Sequence, residues 1–274
     1  MQKLKQLPTI LVAAGVIGLL AAGTAVGAQP AVGQGAPQCP PPTSSGGAGD
    51  DVLIGTPGAD NVLGLAGDDT ISLLLGDDCA DGGPGGDVIN GGAGADTLVG
   101  ADGEDTINGA AGADAIDGGD DADELSGGAD DDRIVGGGGF NTVQGGLGSD
   151  VIVGGDTIDD LSGGRGGDTI RGDTGFDFVS GGLGSDRLYG EGDLDDIQGG
   201  RGSDRIFGGG GNDVIADPLG TSRIAGGNGR DRIISVNGRV DRVDCGRGRD
   251  HIRADADDRL RRCELVWRMP TAPS

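Results

Sequence analysis

Acidic side chains dominate the chemistry this chain can do. Of its 274 residues 41 are Asp and 4 are Glu, against 18 Arg, 2 Lys and 1 His, for a formal net charge of −25. Residues 6–132 contain no Lys, Arg or His, while 46–132 carry 20 Asp and 2 Glu. No internal ion pair can relieve that repulsion, so the economical counter-charge is a divalent cation held by carboxylate oxygens. The same acidity argues against nucleic acid and anionic membrane surfaces as partners. Carboxylate pairs such as Asp68-Asp69 suggest a glycosidase only in isolation. Here they recur at fixed places in a repeat, which explains them better. His251 is the only His, which excludes a His-Glu-x-x-His zinc site, and no Gly-x-Ser-x-Gly elbow occurs. With Lys3 and Lys5 as the only lysines, no phosphate-binding P-loop is present. No enzyme is expected.

Glycine spacing says what positions the carboxylates. From Gly46 to Ile234 the chain divides without insertion into 21 blocks of nine residues, such as Gly91-Gly92-Ala93-Gly94-Ala95-Asp96-Thr97-Leu98-Val99. Position 1 is Gly in 19 blocks and position 4 in 17; position 6 is Asp in 19, and position 8 is Ile, Leu or Val in 20. Low-complexity drift would not hold one aliphatic residue in register. Gly at positions 1, 2 and 4 suits tight turns with positive φ. Positions 7–9 form a three-residue strand whose central aliphatic points inward. Two blocks make one coil of 18 residues, and about ten stacked coils give an all-β rod with two short-stranded parallel sheets over a thin core. So small a core, set against packed acidic turns, predicts a chain that folds only when cations bind.

These blocks resemble the hemolysin-type calcium-binding repeats of the repeats-in-toxin family, whose pattern is Gly-Gly-x-Gly-x-Asp-x-aliphatic-x. The resemblance covers 46–234 and implies a right-handed parallel β-roll (a β-solenoid) that binds several Ca²⁺ ions in its turns. It implies as metal ligands the position-6 residues Asp51, Asp60, Asp69, Asp78, Asp87, Asp96, Asp105, Asp114, Asp123, Asp132, Asp150, Asp159, Asp168, Asp177, Asp186, Asp195, Asp204, Asp213 and Asp231, together with turn carbonyls. Hard oxygen donors without thiolate or imidazole favour Ca²⁺ over Zn²⁺. Several blocks depart from the pattern, among them those with Asp121, Asp130, Thr157 and Asp193 in place of the position-4 Gly. Leu73-Leu74-Leu75 opens a block that has Ala80 in the core slot, Asn141 and Ser222 replace Asp, and Asp217-Pro218 replaces two glycines.

The ends read differently. Residues 1–28 have the form of a secretory signal peptide, with Lys3 and Lys5 ahead of an uncharged run from Leu7 to Val26 and a small-residue end at Val26-Gly27-Ala28. An uncleaved anchor is the competing reading. Residues 29–45 read as a flexible lead-in. Residues 235–274 read as a degenerate coil and a cap, because Cys245 and Cys263 lie one coil apart and fit a disulfide. Cys39 and Cys79 are left as a second candidate pair. The expectation is a secreted, non-enzymatic calcium-binding structural module without a membrane span once the leader is removed. The alternative is a calcium-dependent adhesin that binds a glycan or another surface such as ice, a cell-surface or matrix polysaccharide being one candidate partner. Arg187, Arg205 and Arg223 share position 7 in successive coils and should stack on one face, as a solvated stripe or, less favoured, as a polyanion-binding one.

Overall fold

The computed structural model describes residues 39–269; the signal-peptide reading of 1–28 lies outside the described residues. Each block contributes one strand, and successive strands alternate between two parallel sheets of 13 and 14 strands. Partners lie 18 residues apart, as in Ile134↔Ile152↔Ile170 on one sheet and Leu125↔Val143↔Leu161 on the other. The result is an all-β solenoid of about 13 turns, roughly 60 Å long at the ~4.8 Å spacing of adjacent strands. Among the described residues there is no helix long and apolar enough to cross a membrane.

One aliphatic per strand builds the core. The position-8 residues from Val62 to Ile233 are buried in a single continuous cluster that runs on through Val243 and Ile252. Ala80 belongs to it, and the buried Leu73 of the same block restores the volume that Ala80 omits. The unusual leucine start is thus a local repacking of the core.

The strands are longer than the expected three residues. From Val88–Ala93 onward most run five to seven, through positions 7–9 and into positions 1–3 of the next block. Position 1 explains this. Gly172 there has no positive φ and faces inward, and a Cβ on it would collide with the Asp177 carboxylate and approach the Gly190 carbonyl to 3.0 Å. Glycine stands at position 1 to make room, not to turn the chain. Positions 2 and 4 do take positive φ, as at Gly182 (+95°) and Gly184 (+149°). Asp121, Asp130 and Asp193 adopt φ of 67–79° at position 4, so aspartate tolerates the left-handed turn.

Both ends are more ordered than the sequence suggests. Ser44–Ser45 adds a parallel strand beside Asn61–Leu63, and Cys39 is bonded to Cys79 with Cα atoms 5.5 Å apart. Past Ile234 one inserted residue shifts the register from 18 to 19, as in Arg223↔Arg242 and Arg232↔His251. The tail then adds Arg242–Gly248 and Arg259–Arg261 to one sheet and His251–Asp255 and Leu265–Met269 to the other. It is therefore further solenoid, which is why there are about 13 turns instead of ten. Cys245, in the strand Arg242–Gly248, is bonded to Cys263, just past the adjacent strand Arg259–Arg261, with Cα atoms 5.2 Å apart.

Candidate metal sites

Each position-6 side chain closes the turn before its strand, and stacking arranges these side chains in two columns, one along each sheet. Within a column the backbone N–H of one Asp donates to Oδ1 of the Asp one coil further on: Asp69 to Asp87 at 2.7 Å, Asp168 to Asp186 at 2.9 Å, Asp195 to Asp213 at 3.1 Å. From Asp69 onward one oxygen of each carboxyl is thereby committed. The other, Oδ2, is buried without a partner in seventeen of the nineteen predicted ligands, Asp69 to Asp231. The exceptions are Asp51 and Asp60 at the open end, half-exposed, whose Oδ2 atoms accept the N–H groups of Gly47 and Thr56.

An orphaned buried carboxylate oxygen is costly, and the electrostatics show it. Burial pushes Asp105, Asp132, Asp159, Asp195 and Asp213 up to about 7 from an ordinary 3.8. It pushes Asp114, Asp123, Asp168, Asp177, Asp186, Asp204 and Asp231 to about 6. The donated N–H pulls each one down, and carboxylates in neighbouring coils push most of them up again. At neutral pH these columns need counter-charge.

Asn141 reports what surrounds the orphan atom. Its Oδ1 accepts the Asp123 N–H at 3.0 Å, as an Asp would. Its Nδ2 donates to the Gly138 carbonyl at 3.2 Å and the Gly139 carbonyl at 3.1 Å. An electropositive group at this place is satisfied by two turn carbonyls. In the Asp blocks the same register sets a carboxylate oxygen among carbonyl oxygens, which is a hard, all-oxygen donor set suited to Ca²⁺. Among the described residues no three His, Cys, Asp or Glu side chains converge on one point, so backbone carbonyls would have to supply much of any shell. An ion there would add positive charge and tie turn to side chain.

The departures resolve individually. Asp78 keeps the standard geometry despite its leucine-rich block, with Oδ1 accepting the Asp60 N–H at 2.7 Å. Ser222 replaces only the acceptor, taking the Asp204 N–H at 3.0 Å. In the same block Asp217, at position 1, is fully buried, and its Oδ1 has no partner. The space at Gly199 is bounded by Asp217 Oδ1 and Asp204 Oδ2, each 2.9 Å from where a Cβ would lie. The carboxylate lost from position 6 is thus returned from position 1. The columns also continue past the slip. Asp241 accepts the Ser222 N–H at 2.8 Å and is pushed to about 7 by burial, and Asp250 accepts the Asp231 N–H at 3.0 Å. Asp258 and Glu264 end the two columns. A strict nine-residue count that ends at Ile234 leaves Asp241 and Asp250 out of the ligand set. Letting the phase slip by one residue would have included them.

A family model for the RTX calcium-binding nonapeptide repeat matches residues 45–78, 81–116, 99–133, 109–143, 126–161, 162–197 and 189–216, more than half of the chain. The chain belongs to this family. The RTX matches break at Cys79-Ala80, late in the block that opens with Leu73, and stop at Ala216, just before Asp217-Pro218. No curated protein matches the chain. The RTX repeats make it a calcium-binding β-roll module.

Proposed function

We propose that this RTX protein is an exported, non-enzymatic rod that folds around Ca²⁺ outside the cell. The nineteen position-6 aspartates and the carbonyls of their own turns would be the ligands. The observation that carries this reading is the row of buried orphan Oδ2 atoms, contrasted with the satisfied amide of Asn141. Two features support export. The leader-like segment 1–28 is one, and the two disulfides are the other, since such bonds persist in oxidising compartments. Extracellular modules bind Ca²⁺ at ~0.1–1 mM, a range that leaves the chain unfolded inside a cell and folded outside. A structural role is supported by where the strongly shifted carboxyls lie: those raised to about 6 or 7 belong to the two columns.

The test is a Ca²⁺ titration of the secreted chain, followed by far-UV circular dichroism and sedimentation velocity. β signal and compaction should appear together near millimolar Ca²⁺; a chain fully compact in EDTA at pH 7.5 would refute the reading. Amino-terminal sequencing of the secreted protein should begin at Gln29.

A further inference from the structure

Arginine is absent before Arg133, and all 18 arginines lie from there on. On the 13-stranded sheet Arg187, Arg205, Arg223, Arg242 and Arg259 are directly in register on five adjacent strands. At ~4.8 Å per strand the ladder is about 19 Å long. All five side chains are exposed, and among the described residues none makes an ion pair or a side-chain hydrogen bond. Like charges stacked directly across strands repel. The nearby carboxylates do not relieve them, because Glu191 and Asp244 are engaged by Arg171 at 3.4 Å and by Arg262 at 2.6 Å. Two residues before the first four arginines stand Ser185, Ser203, Thr221 and Val240, and before Arg259 stands the exposed Asp257; earlier coils carry Asp77 and Asp131 in this column among Ala, Ser and Gly. A furrow of about 410 Å³ is lined by Ser203, Asp204 and Thr221 together with Arg205, Arg223 and Arg242. From Ser185 to Val240 this column carries no acid, and residues with hydroxyl groups stand in it beside guanidinium groups that make no ion pair.

We propose that this ladder binds a linear acidic polysaccharide along the rod axis, one anionic group to each arginine. The proposal rests on the calcium-folded roll of the preceding section and names the face and the ligand class. Guanidinium forks match carboxylate and sulfate oxygens. An extended glycan with one acidic group per sugar presents its charges at an interval close to that of the strands. Duplex DNA fits less well, with phosphates every ~3.4 Å along each strand. Single-stranded nucleic acid needs open aromatic faces for its bases. The aromatics on this face offer only one, on Phe207, because Tyr189 and Phe207 stack on each other at 5.0 Å and Arg171 covers Tyr189 at 5.2 Å.

The test measures binding of the full secreted chain, in saturating Ca²⁺ and low salt, to immobilised chondroitin sulfate, with neutral dextran and oligodeoxythymidine as comparisons. Chondroitin sulfate should bind and dextran should not. The pair Arg205→Gln/Arg223→Gln should weaken binding roughly 25-fold, at about fivefold for each exposed ion pair lost. The pair Arg165→Gln/Arg201→Gln removes equal charge from the other sheet and should cost less than about twofold. Equal losses from the two pairs, no chondroitin sulfate binding, or tighter binding of the oligonucleotide would each overturn the proposal. Circular dichroism in Ca²⁺ checks that the variants fold. Should the ladder variant not fold, phenylglyoxal modification of the unaltered protein substitutes, with glycan protection of Arg205 and Arg223 as the supporting result and no protection as the refuting one. Glycan binding by a chain that stays folded in EDTA would sink the calcium reading and leave the ladder standing. Failure to bind by a calcium-folded chain would do the reverse.

Discussion

Removing calcium and lowering the pH should fold this protein. Asp105, Asp132, Asp159, Asp195 and Asp213 of the two columns are raised to about 7 in the roll, and Asp114 and six others to about 6, whereas in an unfolded chain they would titrate near ~3.9. A folded value above the unfolded one means that folding takes up protons. The metal-free roll therefore gains stability as the pH falls from 7 toward 4 and loses it as the pH rises through 6 to 7. Each proton taken up is worth about 1.4 kcal/mol per pH unit. Carboxyls in one column are coupled and do not all titrate at once. Yet an uptake of only four protons would give about 6 kcal/mol per pH unit, comparable with the ~5–15 kcal/mol that holds an ordinary domain together. The assay is far-UV circular dichroism in EDTA between pH 7.5 and pH 5.0, at low concentration, with sedimentation velocity to separate folding from association. β signal should rise cooperatively as the pH falls, with several protons taken up per chain. A chain equally unfolded at both pH values, or equally folded at both, would refute the reasoning, because the buried carboxyls would then not control folding.

Three further outcomes follow from named contacts. Asp195→Asn should reduce the number of bound Ca²⁺ ions, and Asn141→Asp should increase it, as counted by equilibrium dialysis. The orphan oxygen lost or created is worth about 1–3 kcal/mol in the metal-free roll; shared among many ions, it should move the folding midpoint by less than about twofold. Leu188→Ala, at a fully buried core position, should cost about 2–5 kcal/mol in urea unfolding at saturating Ca²⁺. Cys245→Ser/Cys263→Ser removes a closure worth about 3 kcal/mol. Hydrogen exchange should then show lost protection in the last coils, with the strands before Arg187 unaffected.

How much of this was legible in the sequence depends on whether a feature is periodic. The aliphatic at position 8 and the Asp at position 6 each do one job, and their spacing alone announces two sheets over a thin core with turns full of carboxylates. The position-1 glycine was misread as a turn residue. Its reason is steric and lies partly in another coil, where the carbonyl of Gly190 occupies the space a Cβ on Gly172 would need. Strand length was underestimated for the same reason, since a glycine in extended conformation leaves no mark in a hydrophobicity pattern. Asp217 was hidden because its carboxylate reaches the column from position 1, and Asp241 because a single inserted residue broke the count. The arginine ladder was visible as three residues at 18-residue spacing. Arg242 and Arg259 join it only through registers of 19 and 17, which stacking reveals and counting does not.

Calcium stoichiometry measured together with folding tests the central claim most directly. Equilibrium dialysis against buffered Ca²⁺ at pH 7.5, with circular dichroism on the same samples, should show many ions bound per chain in one cooperative step that coincides with the gain of β structure. A fully β chain in EDTA, or ions bound without any change in structure, would contradict it.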